Sequence, residues 1–213
     1  MNPASNPERH DTNGRVRIAV TGGPGAGKTT AIDLFRRELG DGITVVPEAG
    51  TLLFSGGFPR SALPGPRKAA QLAIYHTQVN LEAAQAELYP DRVLLCDRGT
   101  LDGVAYWPDD GTDFFMAVGT TLERELARYD AVIFFETAAA GGNAIEGNNP
   151  IRNEGLEEAV ALDRKLQAVW SQHPDFTFVP NHPSFFRKII IGLGAIESRL
   201  AVAKKRNQGR GHG

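Results

Sequence analysis

Short apolar runs alternate along this chain with longer segments in which apolar residues recur every three or four positions. The short runs are typical of buried strands, and they cover residues 16–21, 43–47, 93–97, 131–135 and 176–179. The periodic segments are typical of amphipathic helices, and they cover residues 28–39, 67–88, 113–128, 153–172 and 184–203. Because strands that alternate with helices normally pair in parallel, the pattern predicts an α/β fold with a parallel sheet and helices on both of its faces.

Two segments lack this periodicity and are rich in glycine, proline or asparagine, namely residues 51–66 and 138–149. Irregular segments of that length in a compact domain are usually functional or mobile, and we interpret both in that way. The rest of the chain is predicted to form one domain over residues 14–205. A disordered leader is predicted at residues 1–13, and a disordered basic tail at residues 206–213.

Composition is that of an ordinary globular protein and argues against several function classes. Hydrophobic residues make up 41% of the 213 residues, charged residues 23%, and the formal net charge is −2. Such a balance gives no global attraction to nucleic acid or to an anionic membrane, and no run approaches the roughly 18 apolar residues of a membrane span. The single cysteine, Cys96, cannot form an internal disulfide, which is typical of a reducing, cytoplasmic compartment. The oligomeric state stays open.

The strongest chemical signal is the stretch VRIAVTGGPGAGKTT at residues 16–30, which joins the first predicted strand to the first predicted helix. Its spacing matches the phosphate-binding P-loop G-x-x-x-x-G-K-[ST], whose glycines let backbone N–H groups approach a triphosphate. The next helix directs its unpaired N–H groups at the anion. Lys28 adds a charge for the β- and γ-phosphates, and Thr29 offers a hydroxyl to Mg²⁺. The predicted ATP-binding residues are Gly22, Gly23, Pro24, Gly25, Ala26, Gly27, Lys28, Thr29 and Thr30.

Carboxylates follow the second and third predicted strands, at the edge where parallel sheets bind ligands. Asp97 ends an apolar run, where P-loop proteins keep a second carboxylate for the metal, so Asp97 is predicted to hold Mg²⁺ with Thr29. Glu48 is a candidate general base for an acceptor hydroxyl, or simply a helix N-terminal acid. Sequence alone does not divide the metal and base roles between these carboxylates. Arg98 is interpreted either as a contact to an anionic substrate group or as part of a structural ion pair.

The helix predicted at residues 67–88 carries a polar stripe along one face, formed by Gln71, Tyr75, Gln78 and Glu82 at helical spacing. This stripe suits recognition of a planar polar ring by hydrogen bonds and stacking, and it equally suits an ordinary solvated face. Gln71 and Gln78 are the predicted substrate contacts, with Gln78 favoured.

Two arginines in flexible segments are further candidates. Arg152, in GNNPIRNEG, is predicted to close over the developing charge of a phosphoryl transfer as part of a lid. Arg60, in GGFPR, is a weaker candidate for a substrate contact.

Several motifs together resemble one family of small P-loop proteins: GGPGAGKTT, VPEAG, LLCDRGTLDG, IRNE, HPDFTFVPN and FFRK, within residues 16–200. This is the AAA-domain family that includes the nicotinamide-riboside kinase domain of the bifunctional NAD-biosynthesis regulator and the P-loop domain of a photoreceptor-channel trafficking protein. The resemblance implies a three-layer α/β/α sandwich of the P-loop NTPase type, similar to nucleoside and thymidylate kinases, with a central P-loop strand in a five-stranded parallel sheet. It also implies a base at Glu48 and an acid–arginine pair at Asp97 and Arg98. The acidic residue that follows this aspartate in ring-forming AAA+ motors is replaced by Arg98.

Two function classes follow from these observations. The first is an ATP-dependent kinase with Mg²⁺ and a small nucleoside-like acceptor, in which Lys28, Glu48, Asp97, Arg98 and Arg152 carry the chemistry. The second is a protein that uses ATP or GTP to bind a protein or phosphoinositide partner without small-molecule kinase activity. Acceptor-dependent ADP formation separates the two.

Overall fold

The computed structural model describes residues 16–141 and 155–210 of the chain. Five strands form one sheet: β1 (Arg17–Thr21), β2 (Ile43–Val46), β3 (Val93–Asp97), β4 (Ala131–Phe135) and β5 (Phe176–Val179). All pairings are parallel, and the strand order is β2-β3-β1-β4-β5. The predicted five-stranded parallel sheet with a central P-loop strand is therefore confirmed. Because β1 is central, the loop after it emerges between the carboxyl ends of β3 and β4.

Helices lie on both faces of the sheet. They are α1 (Lys28–Leu39), α2 (Ala49–Ser55), α3 (Pro64–Leu88), α4 (Asp102–Tyr106), α5 (Phe114–Val118), α6 (Leu122–Leu126), α7 (Leu156–Trp170) and α8 (Phe185–Arg210). Within the described residues, no helix is both long and apolar enough to cross a membrane.

The predicted irregular segment at residues 51–66 is wrong at both of its ends. Its first residues belong to α2, which ends at Ser55. The glycines and prolines that suggested a loop all follow that residue. Its last residues belong to α3, which begins at Pro64. Proline is tolerated in the first turn of a helix because the N–H that it lacks would have no partner there.

The single helix predicted at residues 113–128 is divided into α5 and α6. Gly119 ends α5 in a left-handed conformation with φ 72°. Thr121 then begins α6 as an N-cap whose side chain accepts a hydrogen bond from the backbone N–H of Arg124. α4 was not predicted, and α8 continues past the predicted end at residue 203, to Arg210. The predictions for the leader at residues 1–13 and for Arg152 lie outside the described residues.

The strands bury side chains on both faces, since successive residues of a strand point to opposite sides. One core lies under α1 and α8 and includes Ile18, Val20, Phe35, Ile133, Phe135 and Ile196. The other lies under α3, α4 and α7 and includes Ala19, Leu94, Cys96, Val132, Phe134, Leu166 and Trp170. Two packed cores fix the positions of the strand ends, and with them the loops that carry the candidate site.

Candidate active site

The P-loop turns sharply out of β1 and lies directly against the backbone of β4. Gly22 has φ 134°, and a Cβ atom at this position would stand 1.9 Å from the carbonyl oxygen of Phe135. Gly27 has φ 82° immediately before α1, and a Cβ atom there would stand 2.5 Å from the Phe185 ring. Both positions therefore require glycine, for conformation and for space. The sequence motif and the loop geometry agree.

Lys28 lies back on its own loop. Its Nζ donates to the carbonyl oxygens of Gly22 and Gly23, each at 2.7 Å. The two carbonyl oxygens therefore point toward the ammonium group of Lys28.

Asp163, on α7, supports the P-loop and was not predicted. Its Oδ1 accepts hydrogen bonds from the backbone N–H of Gly23 at 2.7 Å and from that of Thr137 at 3.0 Å. The Thr137 hydroxyl in turn donates to the carbonyl of Pro24. Burial raises the pKa of Asp163, although the two N–H donors and Lys28 act in the opposite direction.

Thr29 and Asp97 lie together at the start of α1 and the end of β3. The Thr29 hydroxyl is 3.4 Å from Oδ2 of Asp97, and the Asp97 side chain is buried. A hydroxyl and a carboxylate are hard oxygen ligands of the kind Mg²⁺ prefers. The described residues contain no group of three or more His, Cys, Asp or Glu side chains that would hold a metal ion alone. The pair therefore fits Mg²⁺ that is shared with phosphate oxygens and water, as is usual for this ion.

Arg98 joins the ends of β2 and β3 through a buried ion-pair chain. Its Nε donates to Oε1 of Glu48 at 2.7 Å, and its Nη1 donates to Oδ2 of Asp102 at 2.8 Å. Glu48 also accepts a hydrogen bond from the Thr51 hydroxyl at 2.8 Å. Burial alone would lower the pKa of Arg98, but Tyr106, Glu48 and Asp102 together raise it. Of the two interpretations of Arg98, the ion pair is the one present.

Asp102 holds this chain in place and was also not predicted. Its carboxylate accepts from the Thr21 hydroxyl at 2.8 and 3.0 Å, and from Nε1 of Trp170 at 2.8 Å, in addition to Arg98. Arg98 itself has φ 72°, a left-handed conformation that is unusual for a residue with a side chain. Asp102 thus connects β1, α7 and the arginine at the end of β3.

A cavity of about 300 Å³ opens beside this ion-pair chain, between α2, α3 and α4. The predicted substrate residues all line it: Glu48, Arg60, Gln71, Gln78 and Arg98. Asp97 is not among its lining residues. Aromatic side chains of Phe54, Tyr75 and Tyr106 complete the wall, and the Arg60 guanidinium lies 4.3 Å from the centre of the Phe54 ring.

The polar stripe of α3 faces inward, so its interpretation as a solvated face is wrong. Gln71 is 7% exposed, Gln78 3% and Glu82 0%. Tyr75 is also buried, and its hydroxyl donates to Oε1 of Glu125 at 2.8 Å. Burial and the charge of Glu125 raise the pKa of Tyr75 to about 12. Tyr75 therefore offers its ring, and not its hydroxyl, to the cavity.

The two glutamines offer different chemistry. Nε2 of Gln78 donates to Oε1 of Glu82 at 3.1 Å and to the carbonyl of Arg98 at 3.4 Å. Both partners are acceptors only, so the amide nitrogen must face them and the amide oxygen is left for the cavity. Gln71 makes no hydrogen bond to any residue that the structure describes, so both ends of its amide are available.

Glu82 is a structural member of the stripe. Its carboxylate accepts from the Tyr129 hydroxyl at 2.7 Å and from Nη2 of Arg128 at 2.9 Å. These contacts hold α3 against the residues around Tyr129.

Sequence reasoning missed Asp102 and Asp163 because their partners, Thr21, Trp170, Gly23 and Thr137, lie far from them in the chain. For Asp163 a signal was present: it shares the buried face of α7 with Ala159, Leu166 and Trp170.

Comparisons with known proteins agree with this geometry. A protein-family model described as an AAA domain matches residues 17–182. A search of curated proteins found no match to the chain. Among solved structures, the chain is similar to deoxyadenosine kinase from M. mycoides with bound dATP, with a TM-score of 0.60 and 17% identity, covering 86% of this chain and 100% of that one. At this identity the likeness establishes the fold, which is that of a P-loop nucleoside kinase.

Proposed function

This chain belongs to the AAA-domain family of P-loop proteins, and we propose that it is a kinase that transfers the γ-phosphate of ATP to a small nucleoside-like acceptor. The observation that carries the proposal is the separation of the two strand-end carboxylates. Asp97 lies beside Thr29 of the P-loop helix, whereas Glu48 pairs with Arg98 and lines a cavity of about 300 Å³ that Asp97 does not line.

The donor half of the site is the P-loop with Asp97. ATP would place its phosphates on residues 22–30, where Lys28 supplies a full charge. Thr29 and Asp97 would hold Mg²⁺, and this ion, when bound, would neutralise part of the phosphate charge. Arg152 stays a prediction for a lid residue.

The acceptor half is organised by Glu48. Arg98 donates to one oxygen of the Glu48 carboxylate and Thr51 to the other. The carboxylate is thus oriented to accept the proton of an acceptor hydroxyl as that oxygen attacks the γ-phosphorus. The proton moves to Glu48, the bond between the γ-phosphorus and the β–γ bridging oxygen breaks, and ADP leaves.

The lining of the cavity supports a neutral, planar acceptor. Its volume of about 300 Å³ is at the small end of ligand pockets. Gln71 offers a paired donor and acceptor, and Gln78 offers an acceptor, for a ring edge. Because the charge of Arg98 is balanced by Glu48 and Asp102, this arginine does not by itself favour an acceptor that is already phosphorylated.

The test is ADP formation with ATP, Mg²⁺ and a panel of nucleosides, ribosides and nucleotides. We expect one acceptor class to stimulate ADP formation. Glu48→Gln should keep ATP affinity and lose about 10²- to 10⁴-fold in acceptor-dependent turnover, the size of general-base catalysis. The amide retains the shape of the carboxylate and its contact to Arg98, and Glu38→Gln, on the exposed face of α1, is the matched control.

The result that contradicts the proposal is tight ATP binding with no stimulation by any acceptor. That outcome favours the second function class, a protein that binds a partner under nucleotide control. Stimulation by nucleoside monophosphates alone, with Arg98→Ala more damaging than Glu48→Gln, would instead identify an anionic acceptor.

A further inference from the structure

Lys188, in the first turn of α8, lies behind the P-loop and away from solvent. Its side chain is 3% exposed, and its Nζ donates to the carbonyl oxygen of Ala26 at 3.1 Å and to that of Glu136 at 2.8 Å. The ring centre of Phe135 lies 5.9 Å from the same nitrogen. A buried ammonium costs desolvation energy and is normally paired with a carboxylate. This one is instead directed at the backbone of the phosphate loop.

The geometry of the peptide bond gives this contact a consequence. In a trans peptide the carbonyl oxygen of one residue and the N–H of the next point in opposite directions. The Gly22–Gly23 peptide shows this in the loop itself, because its oxygen accepts from Lys28 while its N–H donates to Asp163. Holding the oxygen of Ala26 on Lys188 therefore turns the N–H of Gly27 the other way.

Three other carbonyls of the loop are held in a similar manner. The oxygens of Gly22 and Gly23 accept from Lys28, and that of Pro24 accepts from the Thr137 hydroxyl. Within the described part of the chain, the N–H groups of Gly25 and Gly27 donate to no other residue. The N–H groups of Gly25 and Gly27 are thus available to an anion, and the orientation of the P-loop peptides depends on side chains that hold their carbonyl oxygens.

We propose that Lys188 is a positioning residue of the nucleotide site: it keeps the Gly27 N–H directed at the triphosphate, and its charge adds to that of Lys28. The proposal rests on the nucleotide-binding part of the proposed function and is independent of the acceptor and of Glu48.

The charges around Lys188 fit this role. Burial lowers the pKa of Lys188, while Glu136 after β4 and Asp163 on α7 raise it. A bound polyphosphate would act in the same direction as these carboxylates. The fold therefore keeps a cation where burial disfavours it, next to the loop that receives an anion.

The test is equilibrium binding of ATP and of adenosine, each measured separately, to the full chain; adenosine carries no phosphate and so reports binding that does not use the P-loop, whichever site it occupies. Lys188→Met keeps the length of the side chain and removes the charge and the donors. We expect it to weaken ATP binding by about tenfold or more, the size of one charge-assisted hydrogen bond such as that from the Gly27 N–H to a phosphate oxygen, and to leave adenosine binding within about twofold. Arg187→Met is the matched control, since it removes an exposed charge from the same turn of α8 and should leave both affinities unchanged.

Each outcome decides a separate question. If the wild-type chain binds no ATP, the nucleotide site itself is wrong, and Lys188 with it. If the wild type binds ATP and Lys188→Met equals Arg187→Met, the positioning role is overturned while the kinase proposal stands. A parallel loss of ATP and adenosine affinity would also overturn it, because a general loosening of the fold does not distinguish the phosphates. Lys188→Gln, measured in the same way, serves if the Met variant does not fold.

Discussion

Removing the Asp102 carboxylate should destabilise this protein more than breaking any exposed ion pair. Asp102 is 5% exposed. Its Oδ2 accepts from Arg98, and its Oδ1 accepts from Trp170 and Thr21. In Asp102→Ala all of these donors lose their acceptor inside the core, and Nη2 of Arg98 is already buried without a hydrogen bond in the described part of the chain.

The magnitude follows from burial. Removing one partner of a buried ion pair costs about 3–5 kcal/mol, because the other charge stays buried. For a chain of 213 residues, each kcal/mol lowers the Tm by about 2–4 °C. Asp102→Ala should therefore lower the Tm by roughly 8–16 °C, taking about 4 kcal/mol.

Asp102→Asn separates the charge from the remaining hydrogen bonds. Its oxygen can accept either from Arg98 or from Trp170 and Thr21, and in both orientations the amide N–H₂ then faces another donor. We expect a loss of about 2 kcal/mol, or roughly 4–8 °C in Tm, for one hydrogen bond to a charged group.

The assay is thermal unfolding of both variants, followed by circular dichroism, with urea unfolding for the free energy. The matched control is Asp41→Asn, which breaks an arginine–carboxylate contact of 2.7 Å to Arg92 where the carboxylate is 94% exposed. Exposed pairs are worth about 0–1 kcal/mol, so this change should lower the Tm by roughly 0–4 °C. Equal losses for Asp41→Asn and Asp102→Asn would refute the reasoning, since burial is what distinguishes the two pairs.

Two further predictions concern the packing around the site. Burial raises the pKa of Asp163, so the contribution of this carboxyl group to wild-type stability should be lost as pH rises above about 4 through the raised pKa. The Tm of Asp163→Asn relative to wild type should therefore increase with pH, with exposed Asp91→Asn as the control, and a difference that falls with pH would contradict the sign. Gly99→Ala would place a Cβ atom 2.6 Å from the Trp170 ring and should lower the free energy of unfolding by about 1–3 kcal/mol through overpacking. The control is Gly65→Ala, where a Cβ atom would have no atom within 4 Å and the change should be neutral. Equal melting temperatures of the two variants would exclude the clash.

The local sequence was enough to predict the fold and the P-loop part of the candidate site. The P-loop is contiguous, so its spacing, the strand before it and the helix after it could all be recognised together. The strand ends at Glu48 and Asp97 followed from the rule that parallel sheets bind ligands at their carboxyl edges. The segment at residues 51–66 was mistaken for a loop because glycine and proline mark where a helix begins and ends as well as where it is absent.

The long-range partners could not be predicted in this way. Asp163 meets Gly23 across 140 positions, and Trp170 meets Asp102 across 68. Such contacts depend on how α7 lies on the sheet, and no local pattern contains that information. The inward direction of the α3 stripe was left open for the same reason, because a polar face is buried only if the neighbouring elements supply its partners.

The sequence by itself determined that the chain forms a parallel α/β domain with a phosphate-binding loop, since periodicity and a contiguous motif are local properties. Only the tertiary structure decided that Arg98 is held between Glu48 and Asp102, that Gln71 keeps a free amide while Gln78 turns its oxygen to the cavity, and that Lys188 holds the P-loop from behind. The physical reason is that hydrogen bonds and ion pairs are set by distances of about 3 Å between groups far apart in the chain. Those distances are fixed only when the sheet and its helices pack.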